Sequence, residues 1–173
     1  MRLSSQSENG TTLAEVLISA LLVAIFFASI FEVNAICLRL VSGSKENVAA
    51  IQGVQDRLET MRNLAFADLT TATYLRDTLL PAPSNASDFA KRVIEDVTVI
   101  AYDTDSATGG TTGTGINVRR PAGQAATPYY VGSPDPNIAN ARAVLVTVKY
   151  SWTLAGRSRA EETSSIVAAG IKK

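Results

Sequence analysis

The stretch ENGTTLAEVLISALLVAIFFASIFE, residues Glu8 to Glu32, decides how the rest of the chain is read. From Val16 to Phe31 no residue is charged. Starting at Leu13 and accepting Glu15, the run would reach roughly 28 Å as a helix at ~1.5 Å per residue, close to one bilayer core. Glu15 is the anomaly. A carboxylate near the middle of a spanning helix costs roughly 2.5–3.5 kcal/mol, and less near an end. A plain anchor has no use for it, so a partner for Glu15 is expected.

Composition removes several function classes. The chain has 173 residues, with 16 basic and 16 acidic side chains and no histidine. That length allows one domain with a core and an appendage. A net charge of zero gives no electrostatic case for nucleic acid as a partner. Without histidine the commonest general base and metal ligand is missing. Cys37 is the single cysteine, so no intramolecular disulfide forms. Between Ile36 and Leu38 it reads as a small apolar filler. No serine has a base beside it in sequence, and no catalytic constellation is visible. The expectation is a protein that is not an enzyme, with no cofactor, no metal and no small-molecule substrate.

Three readings fit the apolar segment. It is a cleaved signal, with Val33-Asn34-Ala35 as a loose cleavage site, or an uncleaved anchor, or a segment processed at Gly10. Ile36 is too bulky for Cys37 to be a lipoprotein cysteine. Arg2, Glu8, Arg39 and Lys45 do not fix an orientation.

The residues G-TTLAE-VLISALLVAIFFASIF resemble the start of a type IV prepilin. In that family a leader ends in glycine, a membrane aspartate peptidase cuts after it, and the fifth mature residue is glutamate. The resemblance maps these onto Gly10, Thr11 and Glu15. It implies a leader of residues 1–10 and a methylated Thr11 amine. It also implies that Glu15 pairs with the α-amino group of a neighbouring subunit during assembly. Opposite charges meeting in an apolar medium attract strongly and enforce register. Two features depart from the family pattern: Thr11 where phenylalanine is usual, and Glu8-Asn9 where basic residues are usual.

The sequence beyond Glu32 continues as a helix. Val33, Ile36, Cys37, Leu40 and Val41 are followed by Val48, Ile51, Val54 (or Gln55), Leu58, Met61 and Ala65 at three- and four-residue steps. Glu46, Asp56, Glu59 and Arg62 mark the opposite face, with Glu59 and Arg62 spaced for a surface pair. One helix is expected from about Thr12 to about Phe66, roughly 80 Å at ~1.5 Å per residue. Gly43 and Gly53 are its weak points, and Gly43, between Ser42 and Ser44, is where a bend or local melting is expected.

The remainder reads as a β-rich head. Thr70 to Asp88, with Pro81, Pro83, Ser84 and Asn85, reads as a loop. The sequon match Asn85-Ala86-Ser87 is loop composition. Lys91 to Tyr102 alternates as a strand, with Val93, Val97, Val99 and Ala101 on one face. Asp103 to Gly115 is a polar, glycine-rich loop at a hairpin end. It fits neither a calcium loop nor a phosphate loop, although Asp103 and Asp105 are able to touch a cation. Ile116–Arg120 reads as a short strand, and Pro121 to Asn140, with four prolines, as a surface excursion. The clearest element is a hairpin over about 142–168. In it Val144, Val146, Val148, Tyr150 and Trp152 share a core-facing side and Ala155-Gly156 makes the turn. Its polar second strand suggests a sheet edge or a well-solvated face. Tyr150 and Trp152 read as core residues packing on the amphipathic helix, with an aromatic ligand shelf as the other reading. This hairpin resembles the end of broad-headed minor pilins and pseudopilins.

The expected fold is α+β. A long N-terminal helix, membrane-spanning in its first half (residues 11–41) and amphipathic in its second (42–69), packs on a small antiparallel β-sheet head (70–173). The resemblance implies a minor subunit of a type IV pilus-like filament. The alternatives are a minor pseudopilin of a type II secretion system and, from another class, a membrane-anchored or secreted extracytoplasmic binding module. The implied partners are other pilin or pseudopilin subunits, the prepilin peptidase, the inner-membrane assembly platform and, before assembly, lipid. The implied location is the bacterial inner membrane, single-pass, with the head periplasmic or extracellular, and then a filament.

Overall fold

The structure, a computed structural model, describes residues 12–103 and 110–170. The chain divides into two compact units after Gly43. One helix, α1, runs Leu13–Arg62, and helical hydrogen bonding continues through Gly43 without the local melting its Ser-Gly-Ser context suggests. In the first unit this helix is apolar on every side, and Leu17, Leu21, Phe26 and Phe31 are all exposed. Among the described residues α1 is the one helix long and apolar enough to cross a membrane.

The second unit holds the core. Four more short helices or turns lead into a sheet: α2 (Phe66–Leu69), α3 (Ala72–Tyr74) running into a π-helical turn (Leu75–Leu79), and α4 (Asp88–Arg92). The strands are β1 (Ile94–Asp103), β2 (Gly110–Arg120), β3 (Tyr129–Tyr130), β4 (Ala143–Leu154) and β5 (Arg157–Ala168). They form one antiparallel sheet in the order β3-β2-β1-β4-β5. Alternation puts Val97 and Val99 of β1, Ile116 and Val118 of β2, and Val144, Val146, Val148 and Tyr150 of β4 on one buried face. Residues 44–62 of α1 cover that face. This is the α+β layout the sequence predicts, and β5 is indeed a polar edge strand. The β4–β5 turn has Ala155 at φ 49° and Gly156 at φ 78°, the left-handed pair that a two-residue hairpin requires.

Several boundaries differ from expectation, each for a packing reason. Helix α1 stops at Arg62 rather than Phe66. The chain turns through Asn63 and Leu64 to an extended Ala65, which brings Leu64 and Phe66 back against the core. The covered face of α1 is also rotated from the predicted one. Ala50, Gly53, Val54, Arg57 and Met61 are buried, while Val48 and Ile51 remain exposed. Small residues at 50 and 53 let the helix approach the sheet more closely than valine and isoleucine would. Glu59 and Arg62 are both exposed, and among the described residues no ion pair joins them.

The stretch read as a loop from Thr70 to Asp88 carries α3 and the π turn. Its Leu80 N–H donates to the Leu75 carbonyl at 3.1 Å, and Leu75, Leu79 and Leu80 are buried. The prolines after it obscure a leucine spacing of four and five residues, which suits a π turn. Lys91 and Arg92, expected in the first strand, end α4 instead, because Ser87 caps that helix by accepting from Ala90 N–H at 3.1 Å. Asn85 Oδ1 in turn accepts from the Ser87 N–H and hydroxyl. The sequon match is thus part of a helix start.

Strand β2 begins at Gly110, well before Ile116, so residues 110–115 of the glycine-rich segment are strand rather than loop. Gly115 is needed there: a Cβ would lie 2.4 Å from the Val99 carbonyl oxygen, beside an irregularity in the β1–β2 register. Asp103 ends β1, and Asp105 lies outside the described residues. Pro121 to Asn140 is pinned to the body by β3 and by Ile138, which is fully buried.

Candidate functional site

Two regions concentrate chemistry: the start of α1, and the helix–sheet interface of the head. At the first, Gly10 and Thr11 lie outside the described residues. Thr12 precedes the helix, and its hydroxyl accepts from the Glu15 N–H at 3.3 Å. Thr12-Leu13-Ala14-Glu15 therefore has the spacing of a capping box, with this half formed. The Thr12-to-Glu15 spacing carries this signal in the sequence, beside the anomaly of a charge at the edge of an apolar run. The Glu15 side chain is exposed and has no ion pair or hydrogen bond among the described residues. Around it stand Val16, Ser19, Ala20 and Val23. Further along, Ser29 hides its hydroxyl by donating to the Ile25 carbonyl at 2.9 Å, leaving the apolar surface unbroken. Cys37 is exposed on the same helix.

The head is organised by a buried charge cluster that sequence analysis did not find. Arg57, Glu95 and Arg120 are all buried. Arg57 donates from Nε to Glu95 Oε1 at 2.5 Å, and its other nitrogens reach the Leu79 and Ala82 carbonyls at 2.8 and 2.7 Å. Arg120 donates from Nε to Glu95 Oε2 at 3.0 Å and from Nη2 to the Ala90 carbonyl at 2.9 Å. One carboxylate thus ties α1, β1, β2, α4 and the segment after the π turn together. The signal was the strand phase. Glu95 falls in step with Val93, Val97 and Val99, and Arg120 with Ile116 and Val118. On the opposite face of the sheet Asp96 and Arg119, cross-strand neighbours, form a two-point pair at 2.6 and 3.0 Å.

The predicted core residues Val144, Val146, Val148 and Tyr150 are fully buried. The Tyr150 ring packs against α1 at Gly53, where a Cβ would lie 2.5 Å from Cε2. Its hydroxyl is hydrogen-bonded to Ser84, whose own hydroxyl also reaches the Gly53 carbonyl at 3.0 Å. Trp152 departs from expectation. It is half-buried at the margin of the core and packs edge-on against Phe89 of α4, ring centres 5.3 Å apart, because β4 extends past the ground the helix covers.

Burial, with the charge of Glu95 across the strand pair, pushes the Tyr150 phenol up to about 12. The unfolded phenol titrates near 10. Between these values the unfolded chain loses a proton that the folded chain keeps. Stability contributed by Tyr150 is therefore complete below pH 10 and falls by on the order of 2–3 kcal/mol as pH rises towards 12. In urea titrations across this range, Tyr150→Phe is expected to show a shallower decline than wild type. Equal slopes would refute the assignment.

Among the described residues no three His, Cys, Asp or Glu side chains gather as metal ligands would. The buried cluster is spent on structure, since every group in it already faces a partner. The exposed apolar helix, with a carboxylate unpaired among the described residues, is one feature left open to another molecule. Compared with known proteins, the chain matches no family model, no curated protein and no solved structure.

Proposed function

We propose that the chain is a non-catalytic structural subunit of a type IV pilus-like filament, in the role of a minor pilin. A minor pseudopilin of a secretion filament is the alternative within the same reading. The carrying observation is Glu15, a carboxylate without a partner among the described residues, in the part of α1 before Gly43, where the apolar side chains are uncovered. Such a helix needs lipid or other helices around it, and such a carboxylate needs a cation. In this reading a peptidase cuts between Gly10 and Thr11, and the new α-amino group of one subunit meets Glu15 of the next. Passage from lipid into the bundle exchanges apolar contacts for apolar contacts, so side-chain packing and the Glu15 pair supply specificity. Exposed Val48 and Ile51 extend the surface available to neighbouring helices.

The capping geometry favours a second reading, in which Glu15 merely starts the helix and the chain is an anchored extracytoplasmic binding module. One substitution separates the two. Glutamine suits the third position of a capping box as glutamate does, but carries no charge. The filament reading expects Glu15→Gln to be cleaved at Gly10 and to disappear from filaments, with a loss of about tenfold or more in assembled protein. Intact mass, N-terminal sequencing and a sheared-filament assay read this out. A mature chain beginning elsewhere than Thr11, or normal incorporation of Glu15→Gln, would sink the filament reading.

A further inference from the structure

Below the Phe89–Trp152 pair the head has a cleft of about 270 Å³, lined in part by Glu46, Arg92, Ser151 and Thr153. Two polar atoms on its lining residues are shielded from solvent and have no hydrogen-bond partner among the described residues: Glu46 Oε2, an acceptor, and Trp152 Nε1, a donor. Leaving such groups unpaired is costly, and a ligand that satisfies both recovers that cost. Among the described residues the cation nearest Glu46 is Arg92, at 3.9 Å, too far for a hydrogen bond and on a side chain 68% exposed. The carboxylate is thus matched to a cation that the protein itself supplies only loosely. Phe89 and Trp152 add apolar wall to the same cleft, which suits an aliphatic stem. The volume lies just below that of drug-sized pockets and suits a ligand of amino-acid size.

We infer that this cleft binds a primary ammonium group on an aliphatic stem that also carries an amide carbonyl, the chemistry of a lysine residue. The ammonium pairs with Glu46 and the carbonyl accepts from Trp152 Nε1. Both side chains turn towards the cleft on binding. The inference is independent of the filament reading, since every residue it uses belongs to the head.

Trp152 is the single tryptophan of the chain, so its emission reports the site directly. The test titrates the full-length protein, in non-ionic detergent, with Nα-acetyl-lysine amide and with Nα-acetyl-norleucine amide, which keeps the stem and loses the charge. A saturable change in emission is expected with the lysine compound alone. Glu46→Gln is expected to weaken it by about tenfold or more, and Arg92→Gln, which removes the competing cation, to strengthen it several-fold. Pentylamine, lacking the carbonyl, is expected to bind more weakly than the lysine compound. No saturable change, an equal response to norleucine amide, or unaltered binding by Glu46→Gln would overturn the site. Equal binding of pentylamine would overturn the role given to Trp152. If Glu46→Gln does not fold by far-UV circular dichroism, the lysine–norleucine comparison on the wild-type protein decides.

Discussion

Glu95→Ala is expected to cost the head about 3–5 kcal/mol, enough to unfold a domain of ordinary stability at moderate temperature. The substitution removes the one carboxylate between two buried guanidinium groups, Arg57 and Arg120. Each arginine keeps its carbonyl partners, yet both charges are then uncompensated in a dry interior. The neighbouring acid supplies the control. Asp96 points to the other face of the sheet, where its partner Arg119 is 39% exposed. Asp96→Ala is expected to cost less, about 1–2 kcal/mol, because Asp96 is itself buried but the guanidinium it leaves behind is partly solvated. Urea unfolding of the two variants side by side checks the difference. Similar losses from both would show that burial of the Arg57–Glu95–Arg120 cluster has been misjudged. Replacing all three residues by apolar ones of similar volume is expected to be far milder than removing Glu95 alone.

Tyr150→Ala is expected to cost about 3–5 kcal/mol, as for other fully buried aromatic residues. The more telling result concerns Gly53. Alone, Gly53→Ala brings a methyl group against the Tyr150 ring. Overpacking of that kind costs about 1–3 kcal/mol, against roughly 1 kcal/mol gained in helix propensity. Once Tyr150 is alanine the obstruction is gone, and Gly53→Ala is expected to stabilise by up to about 1 kcal/mol. The pair should therefore be strongly non-additive in a double-mutant cycle of unfolding free energies. Additive effects would mean that the helix does not meet the sheet at these two residues.

Gly53 also shows where sequence reasoning reaches its limit. On a helix, a glycine reads as a weakness costing about 1 kcal/mol. That it is the contact point for an aromatic ring on β4 depends on residues nearly a hundred positions apart. Glu46 was read as part of the exposed face and Trp152 as core, whereas both line the same cleft. Val48 and Ile51 were assigned to the covered face by periodicity, but Ala50 and Arg57 took those places. Hydrophobicity alone does not register that a small residue or a paired arginine makes the better contact.

By itself, the sequence determined what strong, local periodicity can determine. The uncharged run after Glu15 specifies a helix that must find an apolar environment, because nothing else satisfies such a surface. The alternation from Val144 to Tyr150, closed by Ala155-Gly156, specifies a half-buried hairpin, because side chains alternate strictly across a strand. Only the tertiary structure decided which face of α1 is covered, that the leucines after Thr71 form a π turn, and that Glu95 rather than Asp96 faces inward between two arginines. These outcomes share one physical reason. Each rests on close contacts and charge pairing between segments distant in sequence, and such terms outweigh the local preferences that a single stretch reveals.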